Sequence, residues 1–294
     1  MQEVKLKEKI IHLILFLFAL IPIITVVGII TILFTETYSF LQEVPVLDFL
    51  TGTRWSPLLK PKSFGVLPLL AGTLLVTIGA MIFALPIGLG MAIYLGEYAP
   101  RRVKKVVKPL IEILAGIPTV VYGYLALLFI TPIIRSILPE TNIFNALSAS
   151  IAVAIMILPM IASLSEDAMS AVPRYLREGA YAMGANKYEA ITRVVMPAAF
   201  SGIAASFVLA LSRAIGETMI VTLAAGATPR LTLNPLESIQ TITAYIVQVS
   251  LGETPRGTIE YKSIFAVGSV LFIITLLVNL SAQRLIKRAS KGAL

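Results

Sequence analysis

Residues 198–225 read AAFSGIAASFVLALSRAIGETMIVTLAA, a stretch whose only charged residues are Arg213 and Glu217. A charge at mid-depth in a bilayer costs roughly 2.5–3.5 kcal/mol on insertion scales. The ten Leu, Ile, Val and Phe residues of the stretch each return about 0.3–0.6 kcal/mol. Because the two contributions nearly cancel, we expect this helix to need neighbouring helices or water around its charged face. A charge pair in such a helix is typical of a path for a polar solute.

The rest of the chain is similarly apolar, since 57% of its residues are hydrophobic and only 14% are charged. Lipid offers no hydrogen bonds, so such a chain crosses the membrane as helices that satisfy their own backbone groups. Charge-free runs of at least about 18 residues mark candidate spans. We therefore predict an all-α, polytopic transmembrane helical bundle, one domain over residues 1–294, with six spans near Ile10–Thr35, Ser63–Gly96, Ile113–Ile134, Thr141–Ser165, Ala198–Ala225 and Ser263–Gln283.

The net charge of +8 does not indicate a nucleic-acid partner, because its distribution follows the predicted topology. With the N-terminus in the cytoplasm, 16 of the 24 Lys and Arg residues fall in inward segments and seven in outward segments. The positive-inside rule describes this asymmetry. We expect a multi-pass protein of the cell (inner) membrane with both termini in the cytoplasm.

The first apolar run, Ile10–Thr35, is interpreted as an uncleaved span and not as a signal peptide. It is longer than the apolar core of a signal peptide, and no A-x-A-like cleavage site follows it. The outward loop that comes next, residues 36–67, holds the only tryptophan, Trp55. This side chain is either an anchor at the membrane interface or an aromatic packed within the loop.

Glycine and proline residues interrupt the second and third predicted spans, at Pro86, Gly88, Gly90, Gly116, Pro118 and Gly123. Small residues favour close helix packing, and the alternative is a broken helix that lines a path. A further apolar face in segment 226–261 predicts a short helix lying on or dipping into the outer membrane surface. Its members are Ile239, Ile242, Tyr245, Ile246 and Val249.

The inward loop between the fourth and fifth spans, residues 166–197, is too long for a tight turn. Its apolar spacing is helical, and Gly184-Ala185 interrupts it, which predicts two short helices at an angle. A partly apolar element in the cytoplasm implies a surface for a partner, unless the loop folds back on its own bundle. The adjacent carboxylates Glu166 and Asp167 are expected to form a solvated face.

This loop resembles the "EAA" loop of permease subunits in ATP-binding-cassette (ABC) importers. Glu178-Gly179-Ala180, Gly184 and the VVMP sequence at 194–197 keep the spacing of that motif, with Gly179, Val194 and Met196 in place of the usual Ala, Ile and Leu. The resemblance implies a coupling helix that docks on an ATPase subunit. The implied coupling residues are Arg177, Glu178, Ala180, Gly184, Asn186, Lys187 and Tyr188.

Four further stretches are similar to the PstC-type permeases of phosphate-specific importers. They are GVLPLLAGT at 65–73, AIYLGEY at 92–98, LAGIPTVVYG at 114–123 and SRAIGETM at 212–219. The resemblance implies a type I ABC-importer fold. It also implies a PstA-like second permease, an ATP-binding subunit dimer and an extracytoplasmic phosphate-binding protein as partners.

Nothing in the chain indicates a catalytic or metal site of its own. There is no G-x-x-x-x-G-K-[ST] sequence to hold ATP phosphates, there is no cysteine, and the single histidine, His12, lies at the end of the first span. We expect no cofactor in this chain, with ATP and Mg²⁺ bound by the partner ATPase.

Arg213, Glu217 and Thr218 are the candidate residues of the substrate pathway. Arg213 and Glu217 are spaced i, i+4, which places them on one helix face. A guanidinium matches two phosphate oxygens and stays protonated when desolvated. Glu217 is a candidate acceptor for the P–OH of HPO4 or H2PO4. The alternative is an intrahelical salt bridge that only fixes packing.

Other functions remain open from the residues alone. The same scaffold would suit sulfate or molybdate. A secondary, ion-coupled transporter would be expected to show inverted repeats with paired broken helices, and a structural or sensory scaffold would not need the charged pair.

Overall fold

The computed structural model describes residues 2–252 and 254–292 of the chain. Within these residues it is a helical bundle with one two-stranded antiparallel hairpin, β1 (Trp55–Ser56) and β2 (Ser63–Phe64). Six helices are long and apolar enough to cross a membrane, which confirms the predicted fold class: Ile11–Leu41, Leu67–Tyr98, Thr119–Ile137, Ala146–Ser170, Lys187–Ile215 and Ile259–Arg284.

Three of these spans contain a π-helical turn, at Tyr94–Tyr98, Ala126–Ile130 and Ile191–Val195. The α-helices are α1 (Gln2–Leu41), α2 (Val46–Thr51), α3 (Leu67–Ile93), α4 (Arg101–Gly116), α5 (Thr119–Leu125), α6 (Thr131–Ile137), α7 (Ala146–Ser170), α8 (Arg174–Ala182), α9 (Lys187–Ala190), α10 (Met196–Ile215), α11 (Met219–Ala224), α12 (Ile242–Leu251) and α13 (Ile259–Gly292). We call the end of the bundle with β1 and β2 the hairpin end, and the opposite end the α8 end.

The third span begins later than its charge-free run, Ile113–Ile134, predicted. The run opens inside the basic helix α4, which ends at Gly116, and the spanning helix starts only at Thr119. Ile117 and Pro118 between them have extended backbone, because a residue before proline is disfavoured in the helical region. The glycine and proline residues therefore break the helix here instead of bending it.

The bundle is organised around α7, which is the most buried of the six spans. Its closest neighbour is α3, and the two helices meet through small residues. A Cβ atom on Gly88 of α3 would lie 2.7 Å from Ile161 Cγ2, and one on Gly79 would lie 2.5 Å from Ser150 Oγ. The glycines thus allow the two backbones to approach closely, as the packing interpretation predicted.

A second cluster at the hairpin end covers the apolar face of segment 226–261. Tyr245 and Trp55 are each 2% exposed, and their ring centroids lie 4.9 Å apart in an edge-to-face arrangement. Trp55 is therefore a packed loop aromatic and not an interfacial anchor. The short helix predicted in this segment is present as α12, and its apolar face packs against protein: the remaining buried members of the cluster include Phe40, Phe49, Val66, Leu69, Ile242 and Val249.

Glycine at position 88 is required by packing, whereas glycine at position 90 is not. We expect Gly88→Ala to destabilise the protein by about 1–3 kcal/mol, because the added methyl overpacks the α3–α7 contact. A Cβ on Gly90 meets no atom within 4 Å, so Gly90→Ala is the matched control and should leave stability unchanged or raised. Thermal unfolding of the detergent-solubilised variants measures both, and equal melting temperatures for the two would contradict the packing role of Gly88.

Candidate functional site

The stretch that carries Arg213 and Glu217 is not one continuous helix. α10 ends at Ile215, Gly216 follows it, and the short helix α11 starts again at Met219. The prediction that Arg213 and Glu217 share one helix face is therefore wrong: Arg213 lies in the last turn of α10, and Glu217 lies in the break. The sequence pattern indicates possible breaks at glycines and prolines of the second and third spans, but it does not single out Gly216.

Glu217 is 4% exposed and satisfies the start of α11. Its Oε1 atom accepts hydrogen bonds from the backbone N–H groups of Met219, at 3.1 Å, and Ile220, at 3.3 Å. An anionic acceptor at the first turn of a helix is stabilising, because the free N–H groups carry partial positive charge. Within the part of the chain that the structure describes, no ion pair joins Glu217 to Arg213.

The first turn of α12 closes the break from its other side. Thr243 Oγ1 donates a hydrogen bond of 2.6 Å to the carbonyl oxygen of Glu217. Thr243 also bonds to Thr241, whose hydroxyl accepts from the Ala244 N–H as the cap of α12. Neither threonine was among the residues predicted from the sequence, although both flank Ile242 of the predicted apolar face.

Arg213 is exposed on the surface of this chain and faces an open groove of about 400 Å³. Its place in the last turn of α10 is favourable, because a cation there lies near free carbonyl groups. The groove runs along the middle of α7 and the end of α4, and its lining includes Glu112, Met156, Pro159, Met160, Ser163 and Leu164. A guanidinium in such a groove is available to an anion.

Thr218, the third candidate of the substrate pathway, does not line this groove. Its hydroxyl donates to the carbonyl oxygen of Gly216 at 3.2 Å, and its own carbonyl accepts from the Thr222 hydroxyl at 2.6 Å. The side chain is thus engaged within the break. The structure brings Glu217 and Thr218 together as parts of the break, and of the three candidates only Arg213 lines the groove.

The loop at the α8 end contains the short helix α8, as predicted. The second predicted helix, α9, is instead the first turn of the fifth span, which continues through the π-helical turn Ile191–Val195 into α10. The two helices α8 and α9 are separated at Gly184, whose φ of +86° lies in the left-handed region that favours glycine. Asn186 caps α9, and the Glu189 side chain accepts a hydrogen bond from the Asn186 N–H, which completes a capping box. The Asn-x-x-Glu spacing of that box is present in the sequence, and only Asn186 was among the predicted site residues.

The predicted coupling residues divide into two groups. Glu178, Lys187 and Tyr188 are exposed, and Ala180 is half-buried. Arg177 instead turns inward and forms an ion pair of 2.9 Å with Glu97 at the end of the second span. Glu97 was absent from the candidate residues, because nothing in the sequence links two positions so far apart.

Glu166 corrects a further expectation about this loop. α7 continues to Ser170, so Glu166 belongs to the helix, where it is 3% exposed and not part of a solvated face. It forms an ion pair of 2.8 Å with Lys108 of α4, and this hydrogen bond raises the pKa of the Lys108 ammonium. Asp167 beside it is exposed, as expected.

Gly184 and Gly179 form a matched pair that tests the conformation of the loop. A Cβ atom added at either position would meet no atom within 4 Å, so any difference comes from the backbone alone. Gly184→Ala should destabilise the loop by roughly 1–2 kcal/mol, because alanine disfavours positive φ. Gly179→Ala lies inside α8 and should stabilise it by up to about 1 kcal/mol. Hydrogen exchange of the α8 and α9 amides measures both changes, and similar exchange in the two variants would reject this account.

Glu217 gives a second prediction, because its cap needs an acceptor oxygen and not a charge. Glu217→Ala should lower stability by about 0.5–2 kcal/mol, since two buried N–H groups lose their partner. Glu217→Gln keeps an amide oxygen in the same place and should retain most of the stability. Melting temperatures of the two variants decide the matter: an intact Glu217→Ala protein with a wild-type melting temperature rules the capping role out.

Comparison with known proteins agrees with this architecture. The family described as "Binding-protein-dependent transport system inner membrane component" matches residues 84–291. The chain is 38% identical over 251 residues to the probable ABC transporter permease protein YqgH of Bacillus subtilis (strain 168), covering 85% of this chain and 81% of that protein. It is 31% identical over 291 residues to the phosphate transport system permease protein PstC of Haemophilus influenzae, covering 92% and 90%.

Solved structures show the same fold at low sequence identity. A bacterial alginate ABC transporter in complex with an alginate pentasaccharide-bound periplasmic protein superposes with a TM-score of 0.63 at 17% identity, covering 94% of this chain and 96% of that chain. The inward-facing MetNI methionine ABC transporter gives a TM-score of 0.56 at 19% identity, covering 76% and 94%. The chain therefore belongs to the family of binding-protein-dependent transport system inner membrane components, and it has the fold of an ABC importer permease.

Proposed function

We propose that this chain is a permease subunit of an ATP-driven importer of inorganic phosphate. Relatives that are named as phosphate transport permeases match it at 31–34% identity over most of its length, which supports phosphate as the solute. The observation that carries the proposal is the position of Arg213. It is a guanidinium exposed in a groove at mid-length of the central helix, with no ion pair among the described residues.

Arg213 is the residue that we assign to direct contact with the anion. Its planar fork suits two phosphate oxygens, and it remains charged in a poorly hydrated path. Glu217 and Thr218 act differently in this proposal: they hold the helix break that presents Arg213 and do not contact the solute. Glu112 lines the same groove and is placed to limit how tightly an anion binds there.

The complete transporter in this proposal contains a PstA-like second permease, an ATPase dimer and an extracytoplasmic phosphate-binding protein. The α8 end lies in the cytoplasm together with both termini, as the distribution of basic residues favours. Exposed aromatic and apolar side chains on α8 and α9 offer a surface to the ATPase, namely Tyr175 at 69%, Met183 at 89% and Tyr188 at 68% exposure. ATP and Mg²⁺ are bound by that partner.

Transport then follows from a shift between two conformations of the permease pair. ATP-bound ATPase subunits favour one conformation, and hydrolysis releases it. The chain itself contributes the anion path and the coupling loop and carries out no chemical step.

Phosphate uptake by cells or proteoliposomes that contain the whole transporter tests the role of Arg213. We expect Arg213→Ala to reduce uptake by about tenfold to a hundredfold, because a charge-assisted hydrogen bond contributes about 1.5–3 kcal/mol. Arg213→Lys keeps the charge without the planar fork, so its uptake should lie between that of the wild type and that of Arg213→Ala. Arg284→Ala, which removes an exposed arginine at the end of the last span, is the control.

Assembly of each variant is followed by co-purification of the ATPase subunit. An Arg213→Ala transporter that assembles and takes up phosphate at the wild-type rate contradicts the path assignment. Competition by unlabelled sulfate or molybdate at low excess would instead assign a different oxyanion to the same path.

A further inference from the structure

The sequence AIYLGEY at 92–98 has no function in the account so far, yet the structure gives it an unusual shape. The second span ends there in the π-helical turn Tyr94–Tyr98, closed by a 2.7 Å hydrogen bond from the Ala99 N–H to the Tyr94 carbonyl. Short π-helical turns inside longer helices are frequent at functional sites. A helix C-terminus also attracts cations, because its last carbonyl groups lack partners.

Arg177 of α8 donates hydrogen bonds both to this turn and to the end of α7. Its Nε and Nη2 atoms donate to Glu97 Oε1 at 3.3 and 2.9 Å, and its Nη1 and Nη2 atoms donate to the carbonyls of Val172 and Met169, both at 2.6 Å. The two side chains of the pair are only 17% and 10% exposed. One planar group therefore joins α8 to the ends of both the second span and α7, a task that a lysine has too few fixed donors to perform.

The other arm of the coupling loop contacts the same turn. Lys187, the first residue of α9, places its ammonium 4.6 Å from the ring centroid of Tyr98, within the range of a cation–π interaction. On the side of α4, Lys104 donates to the Gly96 carbonyl at 3.1 Å. Three cations thus converge on five residues, and two of them come from the loop that faces the partner.

The coupling loop consequently has two distinct faces. Tyr175, Met183 and Tyr188 remain exposed on the outer face, whereas Arg177 and Lys187 engage the second span on the inner face. A displacement of α8 cannot leave the turn unaffected without breaking a largely buried ion pair, and loss of one partner of such a pair is strongly unfavourable. A displacement of α9 would instead move Lys187 away from the Tyr98 ring.

We propose that the turn Tyr94–Tyr98 receives the movement of the coupling loop and passes it to the second span through Arg177–Glu97 and Lys187–Tyr98. This inference rests on the proposed function, since it concerns how ATP hydrolysis by a partner is linked to phosphate movement. Glu97 and Tyr98 are positioning residues here. They act in this proposal through Arg177 and Lys187.

The test uses the complete transporter in proteoliposomes and measures the phosphate imported per ATP hydrolysed. Glu97→Gln removes the charge of the ion pair at constant shape, and Tyr98→Leu removes the ring face that Lys187 contacts. Each should lower the ratio about fivefold or more, the lower range of measured coupling between sites. Tyr98→Phe keeps the ring face and should restore the wild-type ratio.

Tyr94→Leu is the matched control for Tyr98→Leu. Tyr94 belongs to the same turn and is 48% exposed against 45% for Tyr98, and among the described residues no cation lies over its ring. The Tyr94→Leu variant should therefore keep the wild-type ratio of phosphate imported to ATP hydrolysed. Co-purification of the ATPase subunit is measured for every variant, because a residue needed only for assembly would lower the yield of complex and not the ratio.

The outcomes separate the inference from the proposed function. If the wild-type complex imports no phosphate with ATP, the proposed function fails before any variant is compared. If the wild-type complex does import phosphate with ATP, the variants decide. The receiving role of the turn is overturned when Glu97→Gln and Tyr98→Leu keep the wild-type ratio or lose the ATPase subunit. A lower ratio in an assembled complex, with rescue by Tyr98→Phe, supports it.

Discussion

Every backbone group inside a lipid bilayer must find its partner within the protein, and the rest of this structure depends on that constraint. The fifth span nevertheless stops at Ile215 and starts again at Met219. The interruption is tolerated because Glu217 accepts from two N–H groups while its own carbonyl accepts from Thr243. Those few polar contacts fix where α10 ends, and the end of α10 fixes where Arg213 meets the groove.

The same principle operates at the α8 end, where helices stop by necessity and their last carbonyls need donors. Arg177 supplies donors to the end of α7 and to a carboxylate at the end of the second span at once. Gly184 allows the chain to turn between α8 and α9 without strain. The side chain that satisfies these helix ends therefore also joins α8 firmly to the bundle.

Much of the fold was predictable from the sequence, since six long apolar runs and the Gly184 interruption lead directly to six spans and to the division between α8 and α9. Charge-free length, however, does not show where a helix is continuous, and so the breaks at Pro118 and Gly216 were misplaced or missed. Pairing across long sequence separations was also invisible: Glu97 with Arg177 and Lys108 with Glu166 emerge only when the helices pack. The choice of Arg213 as a candidate needed only its unusual setting, whereas the role of Glu217 depends on where the helix breaks.

The exposure of Arg213 also bears on what can surround this chain in a membrane. The guanidinium lies on the surface of the chain at mid-length of α7. Exposure of such a charge to hydrocarbon costs roughly 2.5–3.5 kcal/mol on insertion scales. The chain on its own therefore carries an insertion cost at this groove that water or a neighbouring protein surface would remove.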